Sequence, residues 1–192
     1  STDNVGVVRY NVHRSTTSGF TPSAANRIAQ PTGTSYTDAG LAVGTYFYKV
    51  TAEDAAGNLS APSAQASATI PDTTVPSTPT NLNATGGAGQ AALTWTAATD
   101  NVGVVRYNVH RSTTSGFTPS TANRIAQPTG TSYTDTGLAA GTFFYKVTAE
   151  DAAGNVSTPS AQASATVTNP APTGLVAGYG FDEGSGTTTA DR

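Results

Sequence analysis

Apolar and polar residues alternate in short runs along most of the chain. In AALTWT, which starts at Ala91, Leu93 and Trp95 share one side while Thr94 and Thr96 share the other. VVRYNVHR from Val104 and TFFYKVTAE from Thr142 keep the same period of two, the signature of strands with one buried face. On this pattern strands are expected near Thr80 to Ala84, Ala91 to Thr96, Val104 to Arg111, Arg124 to Gln127, Thr131 to Thr134, Thr142 to Glu150 and Ala161 to Val167. Turn residues fill the gaps and leave no room for helices. The expected fold is an all-β sandwich whose core takes Leu93, Trp95, Val105, Tyr107, Val109, Phe143, Tyr145 and Val147.

The pattern occurs twice. RYNVHRSTTSGFTPS begins at Arg9 and again at Arg106, an offset of 97 residues. Between Ser1 to Ile70 and Ala98 to Val167 the differences are Ser1/Ala98, Ala24/Thr121, Ala39/Thr136, Val43/Ala140, Tyr46/Phe143, Leu59/Val156, Ala61/Thr158 and Ile70/Val167, so 62 of 70 positions match. A period near 97 is too long for a solenoid and suits a sandwich domain of about 100 residues. The expected divisions are a partial repeat over 1–71, a complete repeat over 72–168, and a Pro-rich linker with an opening segment over 169–192.

PSTPTNLNAT, AALTWTAATDNVGVVRYNVHR and TSYTDTGLAAGTFFYKVTAEDAAGNVSTPS, in that order, resemble a fibronectin type III domain of bacterial extracellular proteins. The resemblance implies tandem immunoglobulin-like β-sandwiches with the first repeat truncated. It also implies a tyrosine corner, a hydroxyl bonded back to nearby backbone. Tyr46 can supply that hydroxyl and its counterpart Phe143 cannot. Trp95, Tyr107 and Tyr145 are the expected aromatic core of the complete repeat, with Tyr10, Tyr46 and Tyr48 in the partial one. GLVAGYGFDEGSGTTTAD, near the C-terminus, resembles the start of a laminin G-like (concanavalin A-like) domain.

The partial repeat begins just before its first recognisable strand and lacks counterparts of Leu82, Leu93 and Trp95. Val8, Tyr10, Val12, Tyr48 and Val50 are therefore expected to face water. Cover would come from upstream residues of the parent chain or from strands of another copy, the latter building a head-to-tail filament. With no Met, the chain is read as a piece of something longer.

Composition removes several functions. Charged residues are 11% of 192, net charge is −3, and no Lys/Arg cluster occurs, so the footprint of a nucleic-acid binder is missing. Cysteine is absent, which removes disulfides, thiolate metal sites and a Cys nucleophile. No apolar run is long enough for a membrane span.

The candidate chemistry is acidic. DNVGV begins at Asp3 and Asp100, DAAGN at Asp54 and Asp151, and PDTT brings Asp72 to the same pole of the complete repeat. Asp72, Asp100, Asn101, Asp151 and Asn155 could thus gather hard oxygens for a structural Ca²⁺, the one cofactor considered. The same residues serve equally as turn formers. His13 and His110 are expected to point outward from their strands as exposed histidines. Asp182 and Glu183, adjacent carboxylates before a GSG turn, offer no acid/base geometry. Phe47 and Phe144 are candidate ligand contacts on an outward face, while Phe20 and Phe117 are expected to plug a sandwich end.

No nucleophile, base pair or metal triad suggests an enzyme. The expectation is a non-catalytic, secreted spacer or adhesion module of a cell-surface or extracellular protein. Its partners would be other domains of the parent chain, with polysaccharide, a cell-surface protein or self-assembly as alternatives.

Overall fold

In a computed structural model, residues 6–169 are described. The first repeat contributes β1 (Val7–Ser15), β2 (Arg27–Ala29), β3 (Gly44–Asp54) and β4 (Ala66–Ile70), hydrogen-bonded in the order β2-β1-β3-β4. The second contributes β5 (Thr80–Gly86), β6 (Gln90–Thr96), β7 (Val104–Ser112), β8 (Arg124–Ala126), β9 (Ser132–Thr136), β10 (Gly141–Asp151) and β11 (Ala163–Val167). These build a four-stranded sheet, β11-β10-β7-β8, and a three-stranded sheet, β5-β6-β9. All pairings between these strands are antiparallel. The only helices among the described residues are single 3₁₀ turns, Ala24–Asn26 and Thr121–Asn123.

The two sheets of the second repeat enclose one core. β6 alternates cleanly, burying Ala91, Leu93 and Trp95. Tyr107, Val109, Tyr145, Val147, Ala165 and Val167 meet them from the facing sheet. Trp95 and Tyr107 pack edge to face, with centroids 5.4 Å apart. The Tyr107 hydroxyl accepts from the Ala98 amide at 3.0 Å. Gly86 lies against β11 so closely that a Cβ would sit 1.8 Å from the Thr166 carbonyl oxygen. Only a residue without a side chain permits that approach.

Val105 departs from the expected core. It is 43% exposed, because Glu150 pairs with Arg106 and Asp151 with Val104, leaving Val105 unpaired as a β-bulge. The bulge inverts the alternation, and Val104 packs against the core in its place. Val8 is bulged in the same way opposite β3.

No second sheet faces β1 to β4 among the described residues. The inner face there lines an open cavity of about 620 Å³, bordered by Tyr10, Val12, Leu41, Tyr48, Val50 and Ile70. Exposure is less than expected: Val12 is only 8% exposed, and Tyr10, Tyr48 and Val50 are half-buried. Pro31 and residues 33–38 also border this cavity, held by Asp38, which accepts hydrogen bonds from Arg14 and Tyr48.

Candidate metal centre

Three acidic side chains from separate segments converge at one end of the second sandwich. Asp72 lies in the stretch between β4 and β5, Asp100 in the β6–β7 loop, and Asp151 at the end of β10. One carboxylate oxygen from each lies within 4.8 Å of the others. Chain topology explains the meeting, since in an antiparallel sandwich these two loops and the entry to β5 share a pole.

Local backbone fixes each carboxylate. Asp100 Oδ2 accepts from the amides of Val102 and Gly103, both at 2.9 Å, with Gly103 at φ +125°. Asp151 Oδ1 accepts from the Asn155 amide at 2.8 Å and Oδ2 from Asn155 Nδ2 at 2.7 Å. Gly154 closes this turn at φ +88°, a conformation that favours glycine. Asp72 Oδ1 accepts from the Thr74 amide at 3.1 Å and from Asn101 Nδ2 at 3.2 Å. Asn155 Nδ2 also donates to the Asp72 carbonyl. All five residues singled out in the sequence therefore meet, and their turn-forming role is present as well.

The remaining oxygens are different. Asp72 Oδ2 and Asp100 Oδ1 are buried and have no hydrogen-bond partner. Asp151 is 1% exposed. Burial alone would raise its pKa, but the hydrogen bonds from Asn155, Ala153 and Gly154 outweigh that and hold it below the usual carboxylate range. None of the four ion pairs among the described residues includes these three acids. In the first repeat Asp54 keeps the same turn with Asn58. Asp3, the counterpart of Asp100, lies outside the described residues.

The histidines are not exposed. His13 and His110 are each 5% exposed, although they do point away from the core. The 3₁₀ turn and its flanking loop cover them. His110 Nδ1 donates to Asn123 Oδ1 at 2.9 Å and to the Ser120 carbonyl at 3.1 Å. Two acceptors at Nδ1 assign the proton there. Desolvation lowers the His110 pKa below the ordinary value.

Phe47 and Phe144 are half-buried and form no exposed aromatic patch. Phe20 and Phe117 do not plug a sandwich end: each lies under a lysine, with Lys49 or Lys146 Nζ 5.4 Å from the ring centroid, on the side of the strand opposite the core. Tyr46 donates to the Ala42 carbonyl at 3.1 Å. Asp182, Glu183 and the laminin G-like segment lie outside the described residues.

Two polar constellations escaped the sequence reading. Asp135 on β9 is 4% exposed, takes both oxygens to Arg111 Nη1 on β7 at 2.9 Å, and accepts from the Tyr145 hydroxyl on β10 at 2.9 Å. It thus ties the two sheets together. Burial and then the Asp135 hydrogen bond push the Tyr145 pKa up. The available signal was an acid two residues after Tyr133, on the inward side of its strand. On the outer face Glu150 accepts from Arg106 and Asn108, and Gln127 donates to Asn108 Oδ1. The first repeat has the same arrangement, in which Arg9 and then Asn11 lower Glu53 to about 2.

No family model matches the chain. It is 42% identical over 175 residues to exoglucanase B of Cellulomonas fimi, a match covering 86% of this chain and 14% of that protein. Chitinase A1 of Niallia circulans is 42% identical over 182 residues, covering 88% of this chain and 24% of its own length. The chain thus spans less than a quarter of either relative. Among solved structures, a Fn3-like protein from Clostridium thermocellum aligns at 35% identity with a TM-score of 0.42, covering 51% of this chain and 99% of that one. No helix among the described residues is long and apolar enough to cross a membrane. A three-stranded sheet packed on a four-stranded one, with the strand order found above, makes β5 to β11 a fibronectin type III-like β-sandwich, and β1 to β4 repeat one sheet of it.

Proposed function

We propose that this chain is a non-catalytic, extracellular accessory segment of a larger polysaccharide-degrading protein, in which sandwich repeats act as spacers beside a catalytic domain. The observation that carries this reading is the asymmetry of coverage. The matches to an exoglucanase and a chitinase take in most of this chain and only 14% and 24% of those proteins. One module shared by proteins with different named substrates is better suited to holding domains apart than to recognising one sugar.

The test is depletion from solution by insoluble chitin, cellulose and starch. The spacer reading expects the chain to stay in the supernatant on all three and to release no reducing sugar. Depletion by any of them would replace it with a carbohydrate-binding role.

A further inference from the structure

We propose that Asp72, Asp100 and Asp151 form a Ca²⁺ site that clips the segment entering the second repeat onto the two loops at that pole. It is independent of the accessory role. The cluster alone would be unremarkable, but two of its oxygens are orphaned. Asp72 Oδ2 and Asp100 Oδ1 are cut off from solvent and accept no hydrogen bond, whereas the other oxygen of each is held by backbone amides. A buried carboxylate oxygen normally has a donor. Among the described residues no lysine, arginine or histidine pairs with any of the three acids. A bound cation would supply the balancing charge and the missing partner for both oxygens.

The donor set selects the ion. All the ligands are hard oxygens, without sulfur or imidazole, which suits Ca²⁺ or Mg²⁺ over the softer transition metals. Ligand oxygens within 4.8 Å of one another fit around a Ca²⁺ ion, which holds them at about 2.3 to 2.6 Å. Ca²⁺ also accepts irregular geometry with carbonyls and waters completing the shell. Half-turn rotation of the Asn101 or Asn155 amide would present Oδ1 where Nδ2 now lies. Asp72 follows β4 by two residues, so an ion held there ties the connecting segment to the second sandwich.

Trp95, the single tryptophan and 6% exposed in the second core, makes fluorescence a specific reporter of that repeat. Melts of the 192-residue chain are compared in millimolar CaCl₂, in MgCl₂ and in EDTA at equal ionic strength. Ca²⁺ at 100 times its dissociation constant favours the folded state about 100-fold, so the midpoint should rise by several degrees, and by less in Mg²⁺. Asp72→Asn and Asp100→Asn should abolish the rise yet melt no lower than the parent in EDTA, because the amide keeps an acceptor for the backbone and removes a charge. Calorimetric titration of the unmodified chain provides a reading that does not depend on the variants, with one Ca²⁺ per chain expected. Equal midpoints in Ca²⁺ and EDTA, or a titration showing only heat of dilution, would overturn the proposal and leave the gap to water. Equal shifts in Ca²⁺ and Mg²⁺, or shifts that survive both substitutions, would overturn it in favour of general charge screening.

Discussion

The two repeats match at 62 of 70 positions, and their outer faces are folded alike while their inner faces are not. Asn11, His13 and Glu53 are 1%, 5% and 8% exposed, against 3%, 5% and 8% for Asn108, His110 and Glu150. On the inner side Tyr145 and Val147 are sealed at 0%, whereas Tyr48 and Val50 stay half-buried, and Ala68 is exposed where Ala165 is at 4%. Secondary structure diverges too. Ser132–Thr136 is a strand paired with β6, and the same tetrapeptide start, SYTD from Ser35, forms none. The outer network is local to four strands and the loop over them, so it needs no partner. The apolar face is sealed, and the β9 strand forms, only where β5 and β6 are present.

The largest way to break this contrast is to empty the shared interface. Trp95→Ala should cost the second repeat about 3 to 5 kcal/mol, read by calorimetric melting. The indole nitrogen has no hydrogen-bond partner, so that loss is one of packing. A midpoint unchanged within a degree or two would mean that β6 does not close the core. Next comes the tie between sheets. Asp135→Asn should cost about 1 to 3 kcal/mol, since Arg111 and Tyr145 both donate to that carboxylate. Asp38→Asn should cost the first repeat less, because Asp38 pins a loop to Arg14 and Tyr48 over an open cavity instead of joining two sheets.

Acidification should lower the stability of both repeats, because it reaches the glutamate–arginine pair on the outer face they share. Glu53 and Glu150 are lowered by their arginine and asparagine partners, so their stabilisation is complete above the usual carboxylate value near 4.5 and is lost as pH falls, for Glu53 toward about 2. His110, lowered by burial, removes stability as pH drops below about 6.5, where the unfolded chain takes up a proton that the folded one refuses. Melts from pH 7 to pH 3 that fell for one repeat alone would break the equivalence of the outer faces. The smallest effect concerns the tyrosine corner. Phe143→Tyr should stabilise the second repeat by about 0.5 to 1.5 kcal/mol, by giving it the bond that Tyr46 makes to Ala42.

Period-two alternation located every strand of the second repeat, because each presents one face to an apolar core. It failed at Val105, where a bulge shifts the period by one residue, and at His110, whose outward direction was right and whose burial was not. A covering loop is a tertiary event that alternation on one strand cannot register. The Asp135 tie was hidden for the same reason, as its partners lie 24 and 10 residues away on two other strands. The acidic cluster was legible because loop polarity follows from antiparallel topology once the strands are placed. What lay beyond sequence was the pair of orphaned oxygens.

Hydrogen exchange followed by mass spectrometry on the intact chain tests most directly whether the facing sheet, and not the local sequence, makes these residues a rigid bead. Peptides covering Ser132–Thr136 should exchange slowly and those covering Ser35–Ala39 quickly, while the β3 and β10 peptides are both protected. Equal protection of the two SYTD segments would contradict the account, since identical residues would then be ordered without the partner strand that distinguishes them.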